Sequence, residues 1–383
     1  MSVEAIERAL QAAQAAQAGG AAPGFVAAAR LPDGDDYIGA FGHRGVADPA
    51  AMTADTLFWI ASMTKVLTSI AALKLVEAGR LSLDQDAASL VPSIAEIPIL
   101  EGFDAEGAPR LRAARRPVTV RHLLTHTSGF GYPFMSADLA RYAAHAGLGL
   151  DQALAMPRLF EAGERWQYGT STDFVGQIVE AVSGEGLDAY LQRYLFDVLG
   201  MNDTTFAPSP DQAARQAPMQ ARLPDGGLAP MPFASPPPPS PMLGGGGLYS
   251  TAGDYLTFLT ALLVGDERIL APAGMALLTE NQVGDLDCGV LTASVGMLTN
   301  DFEPLPGVAK RWTLGLMRNE TAGADGRGAG SLAWAGLSNS YYWLDPRAGV
   351  AGVILMQILP FADPGALEVF SAFERAVYEA VAG

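Results

Sequence analysis

Leu57-Phe58-Trp59-Ile60-Ala61-Ser62-Met63-Thr64-Lys65 is the stretch that decides how this chain is read. An apolar run leads into Ser-x-x-Lys, and a helical pattern opens there. Positions i and i+3 share a helix face, so the Lys65 amine is expected beside the Ser62 hydroxyl. The positive end of the helix dipole favours an alkoxide or oxyanion at Ser62. A serine hydroxyl is a weak nucleophile at neutral pH and needs a base close by. Burial lowers the pKa of a lysine toward neutrality, so a desolvated Lys65 can supply one, and Lys65 and Tyr168 are expected to share the proton relay. The chemistry implied is covalent acyl transfer.

Downstream of Ser62, the residues Val66, Leu67, Ile70, Leu73 and Val76 keep helical spacing until Gly79 supplies a stop. Upstream, Val3, Ile6, Leu10 and Ala13 predict a helix over 3–17. Strands at 24–31 and 37–42 flank the turn cluster Pro32-Asp33-Gly34-Asp35-Asp36 and read as a hairpin. Helices are predicted at 119–125, 136–147, 151–161, 172–183 and 186–198, then at 252–264 behind a Ser250 or Thr251 cap. Strands return at 312–317, 332–344 and 350–358, the last two joined by the turn Asp345-Pro346-Arg347-Ala348-Gly349. A helix over 365–381 closes the chain.

These patterns predict an α/β (α+β) fold. One antiparallel sheet is built from both chain ends and flanked by helices, with an inserted all-helical lobe. Residues 1–80 and 240–383 would form the α/β lobe and 81–239 the helical lobe. Active sites often lie at such an interface. Ser235-Pro236-Pro237-Pro238-Pro239-Ser240-Pro241 reads as a stiff linker or a pocket-lining loop. Gly244-Gly245-Gly246-Gly247 serves either close backbone approach to a ligand or left-handed turns. It is no phosphate loop, because no Gly-Lys-Ser/Thr follows.

The 383 residues are 49% hydrophobic and 17% charged, enough for a substantial core. A formal charge of -17 argues against nucleic acid or an anionic membrane as partner. With Cys288 alone, no intrachain disulfide or cysteine metal cluster can form. His43, His122, His126 and His145 show no helical metal-ligand spacing, and no cofactor is expected. The N-terminus carries acid where a secretory signal is basic, and no run approaches the roughly 20 apolar residues of a membrane span. The expected localisation is cytoplasmic. The expected partner is a small-molecule ester, and the sequence does not set the oligomeric state.

Three further segments bear on the site. In Glu164-Arg165-Trp166-Gln167-Tyr168-Gly169-Thr170-Ser171, the Tyr168 phenol, as phenolate or sharing a proton with Lys65, can take the Ser62 proton. In Ser331-Leu332-Ala333-Trp334-Ala335-Gly336-Leu337, a strand edge ending in Gly336 lets backbone N–H groups approach a carbonyl. The N–H groups of Ser62 and Leu337 would form the oxyanion hole. The hydroxyls and imidazoles of Arg121-His122-Leu123-Leu124-Thr125-His126-Thr127-Ser128-Gly129 are read as locking a loop. Trp59, Phe130, Tyr132, Phe134, Phe233, Trp334 and Tyr341 are candidates to line the pocket.

Taken in order, Ser62-Met63-Thr64-Lys65, His122 to Gly129, Trp166-Gln167-Tyr168-Gly169 and Gly244 to Ala252 resemble the serine β-lactamase-like superfamily. That group includes class C β-lactamases, penicillin-binding peptidases and family VIII carboxylesterases. The resemblance covers nearly the whole chain. It implies Ser62 as nucleophile, Lys65 as the helix lysine and Tyr168 as general base, in a site between an α/β lobe and a helical lobe. Trp334-Ala335-Gly336 falls where β-lactamases carry Lys-Thr-Gly, and Thr170 where class C enzymes carry Asn. Both departures remove lactam-binding groups, and the Trp resembles family VIII esterases. Trp334, Gly336, Thr170 and Tyr132 are the expected substrate contacts. The sequence is thus read as a serine carboxylesterase acting on short-chain esters through an acyl-enzyme. An amidase, a weak β-lactamase or an acyltransferase with the same site is the alternative, and a non-catalytic binding protein the second.

Overall fold

The computed structural model describes residues 3–16, 22–232 and 242–382. At its centre lies an eight-stranded antiparallel sheet. Gly24–Arg30 (β1), Asp36–Gly45 (β2) and Asp48–Ala51 (β3) come from the start of the chain. Lys310–Trp312 (β4), Met317–Asn319 (β5), Leu332–Gly336 (β6), Ser340–Asp345 (β7) and Val350–Leu355 (β8) come from its end. The order across the sheet is β4-β5-β6-β7-β8-β1-β2-β3. The seam between the two ends is the β8–β1 pair, where Val26 lies opposite Leu355 and Arg30 opposite Ala351.

Helices cover both faces. Successive strand residues point to opposite sides. Tyr342 of β7 meets Tyr255 of Ala252–Leu263 (α4), whereas its neighbour Trp343 meets Phe370 and Phe373 of the closing helix Pro364–Ala382 (α5). The opening helix Val3–Ala16 (α1) packs along α5. Thr64–Glu77 (α2) is buried almost continuously from Thr64 to Leu75 rather than on one stripe, which makes it a central helix. It ends as expected at Gly79, whose N–H reaches Val76 O while the Arg80 N–H reaches Leu75 O, a Schellman closure. Ser171–Ser183 (α3) packs against α2.

Several expectations need correction. The α-helix starts at Thr64, because Ala61–Met63 forms a 3-10 turn before it. The expected strand 312–317 is a hairpin: Thr313 N–H closes onto Leu316 O between β4 and β5. The expected strand 332–344 folds back at Leu337-Ser338-Asn339, where Asn339 adopts φ +60. The strand expected to reach 358 stops at Leu355, and Ile358–Leu359 instead pairs in parallel with Gln220–Arg222. The helix expected at 151–161 is a short 3-10 stretch, Leu150–Ala155. Pro157 explains it, since the residue before proline is pushed out of the helical region and Met156 is extended. The inserted part is not all-helical. It holds a hairpin of Ile99–Phe103 with Pro109–Arg112 and another of Gln220–Arg222 with Leu228–Pro230, turned by the Asp-rich, Gly-containing loops between them. The Pro-rich run 235–241 and Phe233 lie outside the described residues.

A buried ion pair ties α5 to the connection between β5 and β6. The Arg327 guanidinium donates to both Glu374 carboxylate oxygens at 2.7 and 2.8 Å, and each side chain is only 3% exposed. Removing one partner strands the other charge in the interior. Glu374→Ala is therefore expected to cost about 3–5 kcal/mol of unfolding free energy. Urea denaturation of the variant beside the parent measures it, and a loss under about 1 kcal/mol would refute the buried pairing.

Candidate active site

The Ser62 turn is clamped from several directions. Ile60 N–H bonds Leu248 O, and Leu248 N–H bonds the Thr64 hydroxyl. The Tyr255 phenol donates to Met63 O at 3.0 Å. Ser338 Oγ and Gln357 Nε2 both donate to Trp59 O. Ala61, immediately before Ser62, is held at φ +45, a left-handed conformation that costs free energy for a residue with a Cβ. The surrounding bonds overcome that cost and present Ser62 to a cavity.

Lys65 is buried, and its Nζ makes three hydrogen bonds: to Gly245 O at 2.6 Å, Tyr132 Oη at 3.0 Å and Ser62 Oγ at 3.2 Å. An ammonium has three N–H donors and no lone pair. Gly245 O can only accept, whereas the Ser62 and Tyr132 hydroxyls can accept from Nζ or donate to it. Burial pushes the Lys65 pKa down, but the oxygens of Tyr132 and Tyr168 and the Asp173 carboxylate outweigh it, so the net movement is upward. Desolvation alone would move Lys65 the other way; the oxygens that the fold gathers around Nζ set the upward direction.

Tyr132 and Tyr168 approach each other because Gly131 and Gly169 let their backbones touch. A Cβ on Gly169 would collide with Gly131 Cα and Phe130 O. The two phenol rings lie 5.7 Å apart, and Nζ stands 4.9 Å from the Tyr168 ring centre. The phenol bonded directly to Lys65 is Tyr132, which the sequence suggested as pocket lining and a substrate contact, not as a partner of the lysine. The Tyr168 hydroxyl instead accepts the Trp334 indole N–H at 2.9 Å. Trp334 is wedged between Tyr168 and Trp312, so an indole forms this wall of the cavity. Burial pushes the Tyr132 phenol upward, against the pull of Lys65.

The cavity measures about 360 Å³ and is mostly apolar. Trp59, Ala61, Ser62, Gly245, Gly246, Leu291, Leu298, Trp334, Gly336, Leu337 and Phe361 come to it from the chain-end elements. Tyr132, Phe134, Met135, Leu154, Tyr168, Thr170 and Asp173 come from the insert. Leu337 lies in the turn after β6, and its N–H is past the last β6–β7 pair. Ser62 lies in the first turn of helix, where N–H groups lack an intrahelical partner. Thr170 holds the N-cap position of α3 but does not cap it, and its buried hydroxyl has no partner among the described residues. It remains available to a ligand. Phe130 and Tyr341 are not at the cavity: Phe130 packs on Phe174, and Tyr341 stacks on Phe370.

The histidines of the 121–129 segment do structural work. The His122 ring accepts from Thr119 N–H in a capping box. His126, at φ +56, is buried edge-on against Trp312 and beside Tyr168. Among the described residues no group of three or more His, Cys, Asp or Glu is placed to hold a metal ion. Among them, too, no helix is long and apolar enough to cross a membrane.

Comparison with known proteins places this geometry. A model of the Beta-lactamase family matches residues 6–374. The chain is 34% identical over 381 residues to a monacolin J acid methylbutanoyltransferase from Aspergillus terreus, covering 93% of this chain and 91% of that one. It is 29% identical over 355 residues to a lovastatin esterase from Penicillium rubens, covering 85% of each. A solved simvastatin synthase from Aspergillus terreus, the LovD6 mutant, superposes with a TM-score of 0.86 at 30% identity, covering 98% of this chain and 94% of that one.

The end of β6 presses on the Ser62 turn. A Cβ on Gly336 would stand 2.5 Å from Ile60 O. Gly336→Ala is expected to lose about 1–3 kcal/mol of stability by overpacking. It should also slow covalent labelling of Ser62 by a fluorophosphonate. Parent-like denaturation and labelling would mean that β6 does not set the Ser62 turn.

Proposed function

The chain belongs to the Beta-lactamase family and is an enzyme of the serine-hydrolase type; from that premise we propose that it is a serine acyltransferase. It takes an acyl group, about the size of the methylbutanoyl named for its relative, onto Ser62 and passes it to an alcohol. The observation that carries this reading is the three-way hydrogen bonding of Lys65 to Ser62, Tyr132 and Gly245 at the foot of an apolar cavity.

Ser62 Oγ attacks the donor carbonyl, and its proton passes to a phenolate oxygen of the tyrosine pair. Tyr168, held by the Trp334 N–H, is the acceptor. Tyr132 shares the Lys65 ammonium with Ser62. The fixed ammonium stabilises the developing negative charge without reorganising, which is worth more in a dry site than in water. The N–H groups of Ser62 and Leu337 receive the oxyanion. The proton then moves to the leaving group, and the same relay activates the incoming alcohol. Trp334, Gly336, Thr170 and Tyr132 shape the cavity around the acyl and acceptor groups. The elements 1–80 and 240–383 act as one lobe and 81–239 as another, with the reaction between them. With Trp334 where β-lactamases carry a lysine, no cation there receives a lactam carboxylate, so lactam cleavage is weak.

Transfer is preferred over hydrolysis because the relatives at 34% identity are named as acyltransferases, and because an apolar cavity favours an organic alcohol over water. The esterase among the relatives keeps hydrolysis as the second reading.

Ser62→Ala is expected to lose about 10³-fold or more in kcat while remaining folded. Substantial turnover in that variant would sink the mechanism. With the parent, adding a primary alcohol to a p-nitrophenyl ester assay should divert acyl groups from free acid to new ester. Release of free acid alone at saturating alcohol would select the hydrolase reading.

The pH profile provides a separate check. Lys65 and Tyr132 both hold their protons more tightly than usual, so the proton loss that creates the base falls on the alkaline side. Because Tyr168 sits in the same cluster as these two groups, kcat/KM should rise with pH across the neutral range. A profile that is flat from pH 6 to 9 would contradict a relay built on these groups.

A further inference from the structure

One buried carboxyl at the cavity has no part in the relay described above. Asp173 stands in the first turn of α3, lines the cavity and is buried. Its Oδ1 accepts the Gly245 N–H at 2.9 Å. Gly245 O in turn accepts from Lys65 at 2.6 Å. The two flanking carbonyls are bound as well. Gly244 O accepts from the Thr68 hydroxyl at 2.8 Å, and Gly246 O accepts from the Trp59 indole at 2.7 Å. Three successive glycine carbonyls are thus held by α2 and the strand leading into it, while α3 holds the same run from the other side. A Cβ on Gly245 would stand 2.6 Å from Asp173 Oδ2, so any larger residue there would push the carboxyl out of place.

We propose that Asp173 is a positioning residue: it fixes the Gly245 carbonyl against Lys65 and supplies the negative charge that faces the ammonium. The proposal rests on the acyl-transfer reading of Ser62 and Lys65. The groups around Lys65 are Ser62 from its own turn, Tyr132, Tyr168 and His126 from the insert, and Asp173 from α3. Asp173 is the carboxylate in that set. Burial raises its own carboxyl pKa, and Lys65 and the Gly245 N–H pull it back. If the tether is lost, Gly245 can rotate and Lys65 gives up one of its three hydrogen-bond partners. Nζ then drifts from Ser62, and a displacement of about 1 Å is enough to cost about 10²-fold in rate.

The test compares Asp173→Ala, Asp173→Asn, Ser62→Ala and the parent with a p-nitrophenyl ester donor. Asp173→Ala should lower kcat about 10²-fold and leave KM within about threefold. Asp173→Asn keeps an oxygen for the Gly245 N–H and loses the charge. It should recover part of kcat and move the rising limb of the pH profile to lower pH, because Lys65 and Tyr132 then release a proton more easily. A kcat for Asp173→Ala within about threefold of the parent would overturn the proposal. So would an unmoved limb together with equal losses in both variants, which would mark Asp173 as structural packing. If Asp173→Ala does not fold, the limb of Asp173→Asn decides alone. Activity persisting in Ser62→Ala would remove the underlying reading. An inactive Ser62→Ala beside an undisturbed Asp173→Ala would remove the tether alone.

Discussion

The structure turns on one buried ammonium. Taking a lysine out of water costs several kcal/mol unless every N–H finds an acceptor. Lys65 finds its three in segments far apart in the chain: Ser62 on its own turn, Tyr132 after the 121–129 loop, and Gly245 in the tetraglycine run. To bring those oxygens within reach, α2 must be buried, the insert must fold over it, and the glycine run must pass close by. The strained Ala61 and the bonds that hold Trp59 O and Met63 O are local consequences of the same demand.

On the proposed reading a charged Lys65 divides the labour within the site and the Ser62 proton goes to a phenol. Two phenols with different partners stand there. Tyr132 touches the ammonium, and Tyr168 receives an indole N–H. Trp334 therefore does two things at once. It removes a cation from the cavity and adds a donor to a phenol oxygen. The apolar cavity follows the same logic, because low polarity strengthens each of the few polar contacts that remain.

The fold was legible where periodicity is long. The helices at 3–16, 64–77, 171–183, 252–263 and 364–382, the first hairpin and the Asp345 to Gly349 turn match the sequence reading within a few residues. It was not legible where a strand folds back without a proline or an obvious turn cluster. Leu337-Ser338-Asn339 and Thr313 to Leu316 are apolar or neutral enough to pass for strand, and only pairing with neighbours breaks them. The two hairpins of the insert had turn signals, at Asp104 to Gly107 and Asp225 to Gly227, that short apolar runs hid among helices.

The sequence by itself determined that a serine and a lysine share one helical turn, that a tyrosine and a Trp-Ala-Gly strand accompany them, and that no lysine stands at the strand position. Those follow from residue identity and short spacing, and local order preserves them. Only the tertiary structure brought the groups around Lys65 together. Whether Lys65 is base or ammonium depends on how many oxygens surround it. Those oxygens belong to Tyr132, Gly245, Tyr168 and Asp173, from 67 to 180 residues away in the cases of direct contact across the chain. Electrostatics and hydrogen bonding act through space, so no local pattern around Ser62 carries that information.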